Sequence, residues 1–203
     1  MPLVKRGGER PDPAVAAPLA GLDPREALRS ADPALRRAAA RALGEGGDPA
    51  PLAEALASEP DLRVREALLT ALIGLGAAPE LVPFLRSEEA GLRALAVEAM
   101  QAMPEQAAPL LPALLQDPDP DVRILAAEAL RAQPRDLASG LLSRALGQES
   151  HPNVCAAVVE VLAELGTPDA VPALQSAALR FRDDPFLPFA IPVALARIGG
   201  GRG

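Results

Sequence analysis

The chain has 203 residues and a formal charge of −7; 49% of it is hydrophobic but only 2% aromatic, with no Trp or Tyr, one His and one Cys. That length can bury a sizeable core, one Cys excludes an internal disulfide, and no apolar run is long enough to span a bilayer. The apolar mass is mostly Ala and Leu, which favour helix, while strand formers are scarce, so the expected class is all-α.

The charge is uneven: net +3 over residues 1–41, −12 over 42–170 and +2 over 171–203. An acidic middle repels phosphate backbones and favours basic protein partners over nucleic acid. The opening MPLVKRGGERPD has charges with no apolar stretch behind them, which argues against a secretory signal and for a cytoplasmic protein.

In chain order, residues 1–11 are expected to be a flexible tail and 200–203 a flexible end, flanking one domain over 12–199. Asp12-Pro13 and Asp23-Pro24 each read as the start of a short helix, the second continuing as REALRS (25–30). From there a frame repeats. An apolar residue followed by Arg recurs at Leu35-Arg36, Val64-Arg65, Leu92-Arg93 and Val122-Arg123, and the register continues through Val154-Cys155 and Leu187-Pro188. A period near 30 residues is the signature of stacked repeats.

Within each frame, three residues past the Arg position stand Ala39, Leu68, Ala96, Ala126, Val158 and Ile191. Six past it the residue is small or β-branched (Ala42, Ala71, Ala99, Ala129, Val161, Ala194), and seven past it is long and apolar. This is one face of a helix. The fifth position is mostly polar: Arg41, Thr70, Glu98, Glu128 and Glu160. Four residues before the Arg position stand Asp32, Asp61, Glu89, Asp119, His151 and Asp184, often followed by Pro, which marks a capped helix start. Each first helix leads through a Gly- or Pro-containing turn to a second, over roughly 50–58, 80–87, 105–116, 135–146 and 169–180. Pro188 and Pro192 are expected to bend or delay the last first helix.

DPALRRAAARALGEGGDP (32–49), DPDVRILAAEALRA (119–132) and HPNVCAAVVEVLAELGTPDAVPAL (151–174) resemble the HEAT repeat, in the short bacterial form seen in phycobilisome lyase-type proteins. The resemblance covers about residues 30–199. It implies an α-solenoid of about five helical hairpins with helical end caps, first helices on the convex side and second helices on the concave side. It also implies that the frame's Arg and acid tie successive repeats together, with the ladder stopping where Cys155 and Pro188 replace Arg.

On the second helices, positions 1, 5 and 8 after the turn proline define one stripe expected to be exposed: Glu54; Glu80, Phe84 and Ser87; Glu105; Arg135 and Ser139; Asp169, Ala173 and Ser176. It is acidic, with Phe84 as a candidate aromatic anchor for a protein partner. Phe181, Phe186 and Phe189 either plug the open end of the core or form a docking patch supporting a weak dimer of an otherwise monomeric chain.

His151 and Cys155, one helical turn apart, are two metal ligands at most and have no third partner of their kind; they read as replaced ladder residues. Nothing points to a cofactor or metal. There is no P-loop and no His-Glu-x-x-His. The repeated His-Glu pairs of HEAT-like deoxyhypusine hydroxylases and the basic, aromatic groove of HEAT-like DNA glycosylases are both missing. The expected function is a non-enzymatic scaffold or adaptor; the alternative is a lyase-like or chaperone subunit that assists cofactor attachment or enzyme assembly.

Overall fold

The computed structural model describes residue 19 and residues 21–200. The expected tail (1–11), the helix start at Asp12-Pro13 and residues 201–203 lie outside the described residues. The chain divides into two compact units, Met1–Leu75 and Gly76–Gly203.

The first unit contains α1 (Pro24–Ala27), α2 (Pro33–Gly44), α3 (Ala50–Ser58) and α4 (Leu62–Gly74). The second contains α5 (Ala78–Leu81) continued by a 3₁₀ turn (Val82–Arg86), α6 (Ala90–Ala102), α7 (Pro104–Ala107), α8 (Leu111–Leu114) and α9 (Pro120–Ala129) with a 3₁₀ end (Leu130–Ala132). It ends with α10 (Arg135–Gln148), α11 (Pro152–Leu165), a 3₁₀ turn (Pro168–Ala170), α12 (Val171–Arg180) and α13 (Leu187–Gly200). In the first unit α1 is followed by the first helices α2 and α4 with the second helix α3 between them, and in the second unit the first helices α6, α9, α11 and α13 alternate with second-helix segments.

The starts follow from local chemistry. The carboxylates of Asp23, Asp32, Asp61 and Asp119 each accept a backbone N–H two residues on, at 2.8–2.9 Å. Asp184 accepts from Phe186 and Leu187, each at 2.9 Å. Proline occupies the first turn of α2, α9 and α11, where its missing donor has no intrahelical partner.

Second helices are less regular than the sequence spacing suggests. The expected helix over 80–87 is a single α-turn followed by 3₁₀, and that over 105–116 is two short helices separated by residues 108–110. The breaks fall at Val82-Pro83 and ahead of Leu111-Pro112, because proline has no N–H for the carbonyl four residues back and its ring clashes there. In the last frame the start is delayed, as expected: α13 begins at Leu187, three residues after Asp184, whereas the other first helices begin one residue after their capping position, and Pro188 sits in its first turn. Pro192 lies inside that helix and leaves the carbonyl of Pro188 without its usual donor.

First helices pack on first helices: α2 on α4 in the first unit, and α6, α9, α11 and α13 in series in the second. Each also packs against the second helix of the frame before it, as α11 does on α10 and α13 on α12. The frame's apolar positions form the core; Leu68, Ala126, Val158 and Ile191 are all fully buried. Small residues set the spacing. A Cβ on Gly44 would lie 2.8 Å from the Cβ of Ala71. A Cβ on Gly166 would collide with the Leu162 carbonyl and with Ile198 Cδ1.

Gly166→Ala is therefore expected to lower the stability of the second unit by about 1–3 kcal/mol through overpacking. A reduced urea midpoint monitored by circular dichroism checks this.

Candidate protein-binding surface

The turn before each first helix is built the same way. Arg36 Nη1 donates to the Ser30 carbonyl at 2.8 Å, Arg93 Nη1 to Ser87 at 2.6 Å and Arg123 Nη1 to Asp117 at 2.7 Å. Arg65 Nε donates to the Glu59 carbonyl. Each reaches back six residues. The side chain of that upstream residue turns round to accept the N–H two residues on: Ser30 from Asp32, Glu59 from Asp61, Ser87 from Glu89, Asp117 from Asp119 and Glu149 from His151, at 2.8–3.1 Å.

The same upstream acids receive the arginine of the preceding frame. Arg36 forks onto both oxygens of Glu59 at 2.7 Å each, and Arg123 onto Glu149 at 2.7 and 3.1 Å. Glu59 and Glu149 therefore join successive repeats, and the capping acids Asp32, Asp61 and Asp119 serve their own helices. The sequence reading missed Glu59 and Glu149. The polar row Ser30, Glu59, Ser87, Asp117 and Glu149, six before each Arg position, was the available signal. Asp117 is also buried and paired with Arg86.

Arg36 hydrogen bonds hold the Glu59 carboxyl below its ordinary range, against a burial penalty. For Glu149 burial pushes upward, but Arg123 and the N–H groups of His151 and Ser150 together outweigh it, so its pKa is also lowered.

The second-helix stripe is only partly exposed. Glu54, Glu105, Arg135, Asp169 and Ser176 are exposed, and Glu80, Ser87 and Ala173 are half-buried. Phe84 and Ser139 are corrections, since they are 8% and 1% exposed. Phe84 turns inward because its segment is 3₁₀, which advances about 120° per residue instead of 100° and rotates position 5 into the core. Ser139 is covered by the 166–168 turn: its Oγ accepts the Thr167 N–H at 2.9 Å and lies 3.0 Å from the Thr167 hydroxyl. The guanidinium of Arg135 is spent on the carbonyls of Leu165 and Gly166, at 3.2 and 2.8 Å. Glu54, Glu80, Glu105 and Asp169 have no hydrogen-bond or ion-pair partner among the described residues. In the first unit Glu54 lines an open cleft of about 530 Å³ between α1 and α3, with Arg25, Glu26, Arg29 and Ser58.

The sequence profile of HEAT repeats matches residues 23–73, 78–139 and 107–186, well over half of the chain. The chain belongs to the HEAT repeat family. No curated protein matches it. Among solved structures it is similar to Cex1p, at 13% identity over 93% of this chain and 43% of that one, with a TM-score of 0.50. It is also similar to an archaeal HEAT-like repeats protein from Thermococcus onnurineus NA1 (16% identity, 93% and 92% covered, TM-score 0.48). A third similar structure is human deoxyhypusine hydroxylase (23% identity, 87% and 73% covered, TM-score 0.47). At these identities the likeness is one of fold.

In the fifth HEAT frame, His151 takes the N-cap position without a side-chain cap bond, and its Nδ1 is buried with no partner. Cys155 takes the Arg position and keeps its direction, with Sγ 3.8 Å from the same upstream carbonyl, that of Glu149. Arg180 fills the remaining need of this frame by donating to the carbonyls of Leu146 and Gly147 at the end of α10, at 2.5 and 2.9 Å. Burial pushes the Cys155 thiol up to about 11, with the Glu149 charge adding to it. That is the behaviour of a packed thiol, opposite to that of an activated nucleophile. Among the described residues no three His, Cys, Asp or Glu side chains are grouped to hold a metal, and no helix is long and apolar enough to cross a membrane.

Arg36→Met leaves the Glu59 carboxylate buried without its counter-charge and should cost about 3 kcal/mol in urea denaturation at neutral pH. Because the Glu59 and Glu149 pKa values are lowered by folding, their contribution is complete above the ordinary glutamate value of 4.5 and is lost as pH falls below it. The acid-side drop in the wild-type urea midpoint should accordingly be smaller in the Glu59→Gln/Glu149→Gln double variant.

With its thiol at about 11, Cys155 should react with a disulfide reagent at pH 8 roughly 100-fold or more slowly in the folded chain than in urea, since each unit of pKa costs about tenfold in thiolate. Absorbance of the released thiol reports the rates.

Proposed function

We propose that this HEAT repeat chain is a non-enzymatic interaction scaffold whose second-helix faces hold a basic protein segment. The observation that carries this reading is the state of the stripe's charges. Among the described residues, Glu54 in the first unit, and Glu80, Glu105 and Asp169 in the second, are left without partners. The stripe's one base, Arg135, is engaged with two helix-end carbonyls. Unpaired carboxylates on a rigid helical surface raise the local concentration of a cationic partner and speed its capture.

The one thiol is buried with a raised pKa, and the one histidine is followed by Pro152, not by the Glu of a His-Glu pair. The fold of stacked hairpins is a common carrier of protein-binding surfaces, although fold alone assigns no partner.

A fluorescein-labelled peptide of alternating Lys and Arg, followed by fluorescence anisotropy, tests the proposal. Glu80→Lys/Glu105→Lys and, separately, Glu54→Lys should each weaken binding several-fold at low salt, with the difference shrinking as added salt screens exposed charges. Unchanged binding in both variants, or equal binding of a Glu-rich control peptide, contradicts it. A coloured protein, or one that retains a small molecule through purification, would instead favour the lyase-like accessory role.

A further inference from the structure

The last first helix carries a surface that its predecessors do not. Phe186, just before α13, and Phe189 and Val193 on it are 57%, 75% and 51% exposed. The repeat supplies its own controls. The position of Val193 is occupied by Glu98, Glu128 and Glu160 in the three preceding frames of this unit, and the position of Phe186 by Gly91, Asp121 and Asn153. All of these are exposed except Glu128, which is half-buried and paired with Arg131. The position of Phe189 is held by Ala94, Ile124 and Ala156. The exposed Phe186, Phe189 and Val193 do not serve core packing, which Leu187, Ile191, Ala194 and Ile198 supply on the opposite side of α13. The expectation that these phenylalanines plug the end of the core is corrected here for Phe186 and Phe189. Phe181 is half-buried beneath the Arg180 guanidinium, 5.5 Å from its ring centre, and does not line this surface.

The exposed side chains form one wall of an apolar groove of about 430 Å³ between α11 and α13. Its other wall is α11, where Ala156 and Ala163 leave room beside Val159. Charge frames the groove asymmetrically. Glu160 and Glu164 stand on the α11 side, with side chains 69% and 47% exposed beside Arg131. Arg197 stands on the α13 side and has no ion-pair partner among the described residues.

We infer that this groove is the self-association surface of the chain and that a second copy of the same groove covers it in an isologous dimer. A two-fold axis sets the ridge of Phe186, Phe189 and Val193 of one copy into the alanine-lined trough of the other. The same operation brings Arg197 of each copy to Glu160 and Glu164 of the other, so the patch supplies both the knob and the hole, and both signs of charge. Phe186 and Val193 stand where the preceding frames of this unit have polar residues or Gly, and the second copy covers them.

Sedimentation equilibrium of the full chain, over concentrations from about 1 to 100 μM, tests this. The wild type should show a reversible monomer–dimer equilibrium. Phe189→Glu should weaken it by roughly 30-fold or more, as for loss of a central aromatic anchor. Phe189→Ser should weaken it in the same direction, and both should keep the wild-type circular dichroism because residue 189 is exposed. Arg197→Glu and Glu160→Arg should each weaken the dimer, and the double variant Arg197→Glu/Glu160→Arg should recover most of the loss. A chain that stays monomeric at the highest concentration overturns the inference. So does a dimer indifferent to both Phe189 variants, or a double variant no better than the singles. A monomer that forms a stoichiometric complex with a different protein, lost in Phe189→Glu, assigns the groove to that partner and also overturns it.

Discussion

The structure depends on one guanidinium placed a helical turn past the cap. From there it reaches the carbonyl six residues upstream, in a turn where no helix partner is available for that oxygen. A buried carbonyl left without a donor is costly, so the arginine fixes the path of the chain into each first helix. Arg36, Arg65, Arg93 and Arg123 do this in four frames. Glu59 and Glu149 add a second function: each accepts backbone N–H from its own turn and a forked arginine from the frame before. Because these carboxylates are nearly buried, their charge is tolerated only with both sets of donors in place. With the turns set, Ala and Gly at fixed points let neighbouring first helices approach closely, as Gly44 and Ala71 do.

Much of this was readable in the sequence. The spacing of Leu68, Ala126 and Val158 from their leading apolar residues required one buried helix face, and the Asp-Pro steps at Asp23, Asp32 and Asp119 located helix starts, because both signals are local. Three features were not readable in the same way. Glu59 and Glu149 sit outside the apolar frame, at the exit of a second helix, so their pairing partners are set by the stacking of one frame on the next. The position of Phe84 was inferred from a uniform 3.6-residue period, and Pro83 converts that segment to 3₁₀. Ser139 lies on a regular helix but is covered by a turn nearly 30 residues later in the chain, a contact that single-helix periodicity does not contain. The exposure of Phe186 and Phe189 was visible only by comparing α13 with the earlier first helices, position by position.

The division of charged groups links architecture to work. Arginines and acids of the turns are consumed in holding the frames. Glu128, Glu160 and Glu164 gather round Arg131, whose pKa is raised first by its Glu128 hydrogen bonds. Among the described residues the stripe acids Glu54, Glu80, Glu105 and Asp169 stay unpaired, and Phe186, Phe189 and Val193 form an exposed apolar surface at α13. A scaffold needs this separation, since groups that fix its shape are of little use for recognition and groups that recognise must not be needed for the shape.

Hydrogen–deuterium exchange on Arg123→Met measures the central claim most directly. If the arginine clamp holds each turn in a stack of near-neighbour contacts, protection should fall at Ser150 and His151, whose N–H groups rest on Glu149, and in the first turn of α9, while α13 keeps wild-type protection. Unchanged exchange at Ser150 and His151, or an equal loss across the whole second unit, would contradict it.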